Sequence, residues 1–289
     1  MRQVLLPIDA SESSQATVAL MSDLAKSLPM QVTLVHMLSS VLYDALGSRY
    51  QRILHAHSPD EQEGMALLEK TREKFPLETE VSLVLAEGNV FKDLAALLTS
   101  ESPDLIAIGS GNLDAKVKSV ILGSVTRYVL VHVDVPVLVA GKERWRTKMK
   151  HILVPIDGSA CAMRAVAAAD EMAVAFGARV TLLYVIPDPR KEGVIQGHEA
   201  MLLSEAKAEP DAREALEEAQ KAFTESIHTE ARLAKGVVSR TIEKELANGD
   251  YDFVVMGTEG MGSALKRLLL GSVTRHVLEH VKVPVLVVR

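Results

Sequence analysis

The sequence repeats itself at a constant offset of 148 residues. The segment from Val4 to Ser11 aligns with Ile152 to Ser159, and the segment from Leu122 to Val139 aligns with Leu270 to Val287, with fifteen of eighteen positions identical in the second alignment. Chance does not produce such a match, and a repeated unit of this length is large enough to form a domain. The chain of 289 residues is therefore predicted to contain two copies of one domain.

Each copy alternates short β-branched runs with longer helical patterns, which is typical of βαβ units in a parallel sheet. We predict an α/β fold with two tandem doubly wound domains, 1–141 and 149–289, each a five-stranded, mostly parallel sheet flanked by helices. The strands are expected at Val4–Ile8, Val32–His36, Glu80–Leu85, Asp104–Ile108 and Val135–Val139, and at Ile152–Ile156, Val180–Val185, Thr229–Ala234, Asp252–Met256 and Val283–Val288.

The copies differ most between their second and third strands, where each is expected to hold a variable loop and a helix, Glu61–Lys74 or Ala212–Ser226. The last strand of each copy, Pro136 to Val139 or Pro284 to Val287, would leave a hydrophobic edge exposed. Proteins seldom leave such edges open. We therefore predict that these two strands, or two chains through them, pair across a two-fold or pseudo-two-fold axis.

Composition excludes several classes of protein. A net charge of −6 and 4% aromatic residues argue against a nucleic-acid partner, and the short basic run from Lys142 to Lys150 is interpreted as a solvated linker. Cys161 is the single cysteine, which rules out an intramolecular disulfide and favours a reducing compartment. No apolar run approaches the ~20 residues needed to cross a bilayer. A cytoplasmic protein without a membrane partner is expected.

Candidate ligand-binding residues cluster after the first and fourth strands, which flank the ligand crevice in sheets of this kind. In the second copy Asp157 follows the first strand, and Gly257 and Gly260 follow the fourth. Glycines permit close backbone approach and positive φ, and the helix that opens at Gly271 and Ser272 offers free N–H groups to a phosphate. Three simpler roles stay open: turn glycines, Ser272 as an N-cap, and Asp157 as a helix cap.

The residues around these positions resemble a universal stress protein domain. The resemblance rests on Val-Pro-Ile-Asp-Gly-Ser at the first strand, Met-Gly-Thr-Glu-Gly after the fourth, Leu-Leu-Leu-Gly-Ser-Val before the last helix, and the closing Val-Pro-Val-Leu-Val-Val. It extends to both halves, as in a tandem-type member, and implies an ATP site in the second copy. Pro155, Asp157 and Val185 would border the adenine and ribose, Gly236 would contact the sugar, and the ribose and phosphates would be cradled by Met256, Gly257, Gly260, Gly271, Ser272 and Val273.

The two copies depart differently from that family's pattern. ATP-binding members place nine residues between the second glycine and the glycine that precedes serine or threonine, whereas ten residues separate Gly260 from Gly271. In the first copy Asn112 replaces the second glycine, and Asp114 would repel phosphate. A weaker site is expected there, formed by Asp9, Gly109, Gly123 and Ser124. That copy could equally bind another ligand or serve as a structural half.

Other constellations are weak. His55 and His57 lack a third metal ligand nearby in sequence and are interpreted as surface-loop residues. His132 and His280 stand at equivalent helix ends, where an imidazole can satisfy terminal carbonyl groups. The sequence contains no nucleophile elbow, His-Glu-x-x-His pair or Walker lysine loop.

The leading hypothesis is a cytoplasmic ATP-binding stress-response or regulatory protein, expected to be a homodimer, in which ATP alters dimer packing or partner choice. The cradle has no evident general acid–base pair, so hydrolysis or autophosphorylation is expected to be slow at most. Two alternatives remain. One is an ATPase or nucleotidyl transferase in which Asp157 and Ser272 hold Mg²⁺ and phosphate, and the other is an interaction protein that needs no ligand.

Overall fold

The computed structural model describes residues 2–39, 59–88, 90–110, 122–140, 149–188, 198–258 and 270–289. The first half contributes five strands: β1 (Gln3–Ile8), β2 (Gln31–Ser39), β3 (Glu80–Gly88), β4 (Leu105–Gly109) and β5 (Val137–Ala140). The second half contributes β6 (His151–Ile156), β7 (Arg179–Pro187), β8 (Thr229–Gly236), β9 (Phe253–Gly257) and β10 (Val285–Val288). Ten strands were expected, and each lies within three residues of its predicted bounds.

Eight helices connect these strands in the described part of the chain. They are α1 (Glu12–Ala25), α2 (Pro59–Arg72), α3 (Val90–Glu101), α4 (Ser124–His132), α5 (Ala160–Phe176), α6 (His198–Lys221), α7 (Val238–Asn248) and α8 (Ser272–His280). The local sequence explains where several begin and end. At α5, for example, the Ser159 hydroxyl accepts a hydrogen bond from the Ala162 N–H, and Gly177 ends the helix in the left-handed conformation that glycine adopts without strain.

All ten strands belong to one continuous sheet with the order β3-β2-β1-β4-β5-β10-β9-β6-β7-β8. Neighbouring strands run parallel within each half, and β5 and β10 run antiparallel to each other, with Leu138 opposite Leu286. The predicted pairing of the two last strands is therefore confirmed, and it occurs within one chain. Because the central pair is antiparallel, the carboxyl ends of the two sets of strands lie at opposite edges of the sheet.

Helices cover both faces of the sheet, so the inner strands are buried on both sides. In β1, Val4 and Leu6 point into one core and Leu5 into the other, which explains why the strand is apolar without alternation. Each of the two cores contains residues from both halves: Leu138 and Leu286 share the first core. The two copies are thus joined through a shared sheet and shared cores.

The largest departure from the expected elements is α6. The helix was predicted at Ala212–Ser226, but α6 runs from His198 to Lys221 and contains Pro210. The residues before the proline are mostly good helix formers, and their combined propensity outweighs one interrupted backbone hydrogen bond. The corresponding α2 begins two residues earlier than predicted and ends at Arg72.

Candidate functional site

The site lies in the second half, at the point where the strand connections reverse direction. From β6 the chain passes through α5 to β7 and β8 on one side, and it then returns to β9 on the other side of β6. Ligands bind at such switch points because the loops on either side diverge and leave a crevice beyond the carboxyl ends of the strands. In this protein the crevice opens between Asp157, after β6, and Thr258, after β9.

A cavity of about 240 Å³ occupies this crevice, just below the range of about 300–1,000 Å³ usual for small-ligand pockets. It brings together eight of the ten residues predicted for the ATP site. These are Pro155, Asp157, Val185, Met256, Gly257, Gly271, Ser272 and Val273. The residues predicted from the sequence therefore make up just over half of the described lining of the cavity.

Two predicted residues are not among those that line the cavity. Gly236 ends β8, and its carbonyl accepts a hydrogen bond from the Asp188 N–H at 3.1 Å. The family resemblance implied that Gly236 contacts the sugar, but β8 is the outermost strand, separated from β6 by β7. Gly260 lies outside the described residues.

Seven lining residues were missed: Ile156, Ala162, Leu183, Val238, Ile242, Thr258 and Thr274. Val238 and Ile242 stand four residues apart on α7, so both face the same direction. Their spacing in the sequence predicts an apolar helix face but cannot say that the face meets this crevice. Leu183 and Val185 contribute a second apolar surface from β7.

The N-terminus of α8 provides the polar end of the cavity. Gly271 is the N-cap and has no side chain to accept from the first turn, so the N–H groups of this turn have no side-chain cap. Ser272 is the first helical residue, so the alternative role of Ser272 as the N-cap is wrong. The uncapped turn and the positive end of the helix dipole together favour an anion.

The start of α5, at the same edge of the sheet, is capped by a side chain. Ser159 caps α5, and Asp157 instead accepts a hydrogen bond from the Ser159 N–H at 3.0 Å. The alternative role of Asp157 as the helix cap is therefore wrong, because Ser159 stands one residue before the helix. Asp157 holds the turn that leads from β6 towards α5.

Two hydrogen bonds fix α8 against the end of β9. The Gly271 N–H donates to the Thr258 carbonyl at 3.1 Å, and the Thr274 hydroxyl donates to the Gly257 carbonyl at 2.9 Å. A Cβ at position 271 would lie 2.5 Å from the Thr258 oxygen, so only glycine allows this approach. The first turn of α8 is thus placed before any ligand arrives.

Gly257 is required by packing rather than by φ. A Cβ at this position would lie 2.9 Å from the Cys161 Sγ on α5. Of the two properties that glycine permits, Gly257 uses the close backbone approach, since the described glycines with positive φ are Gly158, Gly177 and Gly236. Cys161 is buried as expected of a small packing residue, and its thiol donates to the Val288 carbonyl at 3.2 Å.

The described lining of the cavity carries one ionisable side chain, that of Asp157. Burial raises the pKa of the nearby Tyr184 phenol, and the charges of Asp157 and Asp211 raise it further. The sequence also offers Lys266 and Arg267, either to screen phosphate charge or to lie on a solvated helix face, and both lie outside the described residues. No group of three or more His, Cys, Asp or Glu residues suited to a metal occurs in the part of the chain that the structure describes.

The first half repeats the backbone of this site. The Thr126 hydroxyl donates to the Gly109 carbonyl at 2.8 Å, and Gly123 is an N-cap without a side chain at the start of α4, next to Ser124. Asp9 holds its turn through Ser11, whose N–H lies 3.0 Å from the carboxylate. The residues of the expected weaker site therefore occupy positions equivalent to those in the second half.

The surroundings of that first-half arrangement are more polar. Ser14 replaces Ala162, and its hydroxyl accepts from the Asp9 N–H at 3.0 Å. Ser110 replaces Thr258 and is buried, with no hydrogen-bond partner for its hydroxyl among the described residues. Asn112 and Asp114, on which the expected weakness of this site depends, lie outside the described residues.

Two of the four histidines discussed from the sequence can be compared with the structure. The Nδ1 atoms of His132 and His280 lie 2.9 and 2.8 Å from the carbonyls four residues earlier, so both satisfy helix-terminal carbonyl groups as predicted. His55 and His57 lie outside the described residues.

Both halves of the chain are similar to the universal stress protein family. Residues 1–141 and 148–289 each match the sequence profile of the universal stress protein family. A universal stress protein of Methanocaldococcus jannaschii is 35% identical over 143 residues, which are 48% of this chain and 82% of that protein. A second universal stress protein, from Thermus aquaticus, is 34% identical over 143 residues, 48% of this chain and 98% of that protein.

A solved structure shares the whole architecture. The crystal structure of a universal stress protein from Archaeoglobus fulgidus superposes with a TM-score of 0.75 at 21% identity, covering 99% of this chain and 98% of that one. This likeness supports the tandem doubly wound fold. No helix among the described residues is both long and apolar enough to span a bilayer.

Proposed function

We propose that this chain, which belongs to the universal stress protein family as a tandem member, binds ATP mainly in its second half and acts as a stress-response or regulatory protein. The proposed site consists of the cavity residues predicted from the sequence, together with Gly260 and the seven lining residues that the sequence did not reveal. Gly236 is left out because it does not line the cavity.

The main support for the proposal is that one cavity contains both an apolar surface and the uncapped start of a helix. Leu183, Val185 and Ile242 offer the apolar surface that a base or ribose would contact. The first turn of α8, fixed by Gly271 and Thr274, offers N–H groups to phosphates. A nucleotide has one apolar and one anionic end, and so matches both.

The proposed ATP could carry Mg²⁺. Magnesium that accompanies a nucleotide is usually held by one or two carboxylates and by the phosphate oxygens. Asp157 is the one carboxylate in the described lining, so the residues fit an ion held mainly by the ligand. Mg²⁺ would supply charge neutralisation next to α8.

The role proposed for this site is binding, with slow hydrolysis at most. The described lining offers Asp157 but no second acid–base group to pair with it. The rival function is a nucleotide-hydrolysing or nucleotidyl-transferring enzyme. Steady phosphate release faster than about 1 s⁻¹, within the usual range of enzymes, would favour that rival.

The expected homodimer remains part of the proposal, but it must use surfaces other than the last strands. β5 and β10 already pair with each other inside one chain. A dimer would therefore form through a helical face or an outer strand. Light scattering over a range of concentrations, with and without ATP, would measure both the dimer and its response to the ligand.

The test uses matched substitutions at the two equivalent helix starts, Ser272→Glu and Ser124→Glu. Both serines are exposed first residues of their helices, where a carboxylate stabilises the helix through the dipole. Folding is thus preserved, while the new charge repels a triphosphate. We expect calorimetry to find about one strong ATP site per chain, lost in Ser272→Glu and kept in Ser124→Glu.

The other outcomes separate the remaining hypotheses. Equal loss in both variants would contradict the asymmetry between the halves. Absence of ATP binding by the unmodified chain would favour an interaction protein that needs no nucleotide. Retention of full affinity in Ser272→Glu would place ATP away from α8 and so contradict the proposed site.

A further inference from the structure

A polar pair links α7 and α8, two of the helices that line the cavity. His276 Nε2 on α8 lies 2.7 Å from Glu243 Oε2 on α7. The two residues stand 33 positions apart in the chain, so their contact is tertiary. Neither residue lines the cavity, and neither belongs to the sequence motifs described above.

Each helix contributes a different part of the proposed site. Val238 and Ile242 on α7 belong to the apolar surface, and Ile242 directly precedes Glu243. Ser272 and Thr274 on α8 belong to the phosphate cradle and precede His276 by four and two residues. The pair therefore connects the helix of the apolar surface to the helix of the phosphate cradle, outside the cavity lining.

In the first half the equivalent helices, α3 and α4, lack this polar connection. Ala95 stands where the second half has Glu243, and Tyr128 stands where it has His276. Tyr128 packs instead on Phe91, with ring centroids 4.9 Å apart. The duplication thus provides a natural comparison: a polar link in the half with the proposed strong site, and an aromatic contact in the half without it.

We infer that His276 and Glu243 are positioning residues, which set the separation between the apolar surface and the phosphate cradle for a ligand that spans both. This inference rests on the proposed function. A ligand that contacts both parts gains from their fixed separation, because it does not have to order them on binding. A ligand that contacts only one part gains nothing from the link.

The size of the effect follows from the exposure of the pair. The His276 side chain is 20% exposed and that of Glu243 is 36% exposed, so solvent screens part of their interaction. We therefore expect a loss of about three- to fivefold in ATP affinity when either partner is removed. Removal of both should cost about as much as removal of one, because they act as a unit.

The experiment measures the binding of ATP, adenosine and inorganic tripolyphosphate to the full chain and to Glu243→Ala, His276→Ala and the double variant. ATP spans both parts of the site, whereas adenosine and tripolyphosphate each test one part. We expect weaker ATP binding in all three variants, with the affinities for the two fragments unchanged. His276→Gln, whose amide can still donate to Glu243, should recover part of the loss.

Glu279→Ala is the control, because Glu279 pairs with Arg275 at 2.8 Å on the same helix without reaching α7. It should leave all three affinities unchanged. Equal ATP affinity in the unmodified chain and the alanine variants, or a parallel loss for adenosine and tripolyphosphate, would overturn the positioning role alone. If the unmodified chain does not bind ATP, the proposed function fails as well.

Discussion

The guanidinium of Arg289 donates a hydrogen bond of 2.6 Å to the backbone carbonyl of Leu130, across the junction of the two halves. It also donates to the Val131 carbonyl at 3.0 Å. Both acceptors lie in the last turn of α4, where the helix has no partners of its own for its carbonyl groups. A residue that follows β10 thus completes a helix of the other half, and the equivalent position in the first half is Gly141.

Arg289→Ala should destabilise the protein by about 1 kcal/mol, because the last turn of α4 loses a charged donor and a favourable interaction with the helix dipole. Chemical denaturation would measure the loss, and amide exchange should quicken at the end of α4. Arg213→Ala is the control, since Arg213 forms an exposed pair with Glu209 on one helix. A loss of similar size in both variants would mean that the contact of Arg289 with α4 stabilises the protein no more than an exposed ion pair does.

Stability should fall as the pH drops below the ordinary histidine pKa of 6.5, because of His151. Burial lowers the pKa of this imidazole, and the Arg179 guanidinium, 3.1 Å from Nδ1, lowers it further. The charge of Arg232 also lowers this pKa, whereas the hydrogen bond with the Asp250 carbonyl and the charge of Asp252 raise it. The unfolded chain therefore takes up a proton before the folded one does.

The contribution of neutral His151 is present above pH 6.5 and is lost as the pH falls through the lowered folded pKa. His151→Gln should flatten this part of the stability profile, and the first half already has glutamine at the equivalent position, Gln3. Denaturation midpoints between pH 5 and 8 would provide the measurement. An unchanged slope in the variant would assign the acid sensitivity to other groups.

Gly257→Ala should destabilise the second half, because the new methyl group would lie 2.9 Å from the Cys161 Sγ and 3.2 Å from the carbonyl carbon of the same residue. The cost of such overpacking is about 1–3 kcal/mol. Cys161→Ala in the same chain should relieve only the contact with sulfur, so a partial recovery of the melting temperature is expected. Additive losses in the double variant would show that the two positions do not clash.

The two halves should unfold together, since Leu138 and Leu286 face each other across β5 and β10 and both are buried in one core. Leu138→Ala and Leu286→Ala should each cost about 2–5 kcal/mol, and the combined cost should differ from the sum because the positions are neighbours. Calorimetry should show one transition in the unmodified chain. Two resolved transitions would contradict the cooperative contribution of the shared core.

The sequence predicted the strands better than the helices. Strands such as β6 are short apolar runs bounded by turn residues, and that signal is local. The bounds of α6 do not follow from a local signal. The helix continues through Pro210, where the usual effect of proline would be to end it. The residues of α7 in the cavity were missed for a similar reason: an apolar pair on a helix indicates a buried face but does not identify its neighbour.

The repeat and its motifs by themselves determined the duplicated α/β fold, the pairing of the two last strands as one of two options, and most of the described lining of the cavity. They could do so because strand ends, glycines and helix starts carry their conformation in the local sequence. Tertiary structure decided that β5 and β10 pair within one chain, which places the carboxyl ends of the two sets of strands at opposite edges of the sheet. It also decided that Gly257 makes room for Cys161 and that Arg289 completes α4, because those contacts join residues about 100 or more positions apart.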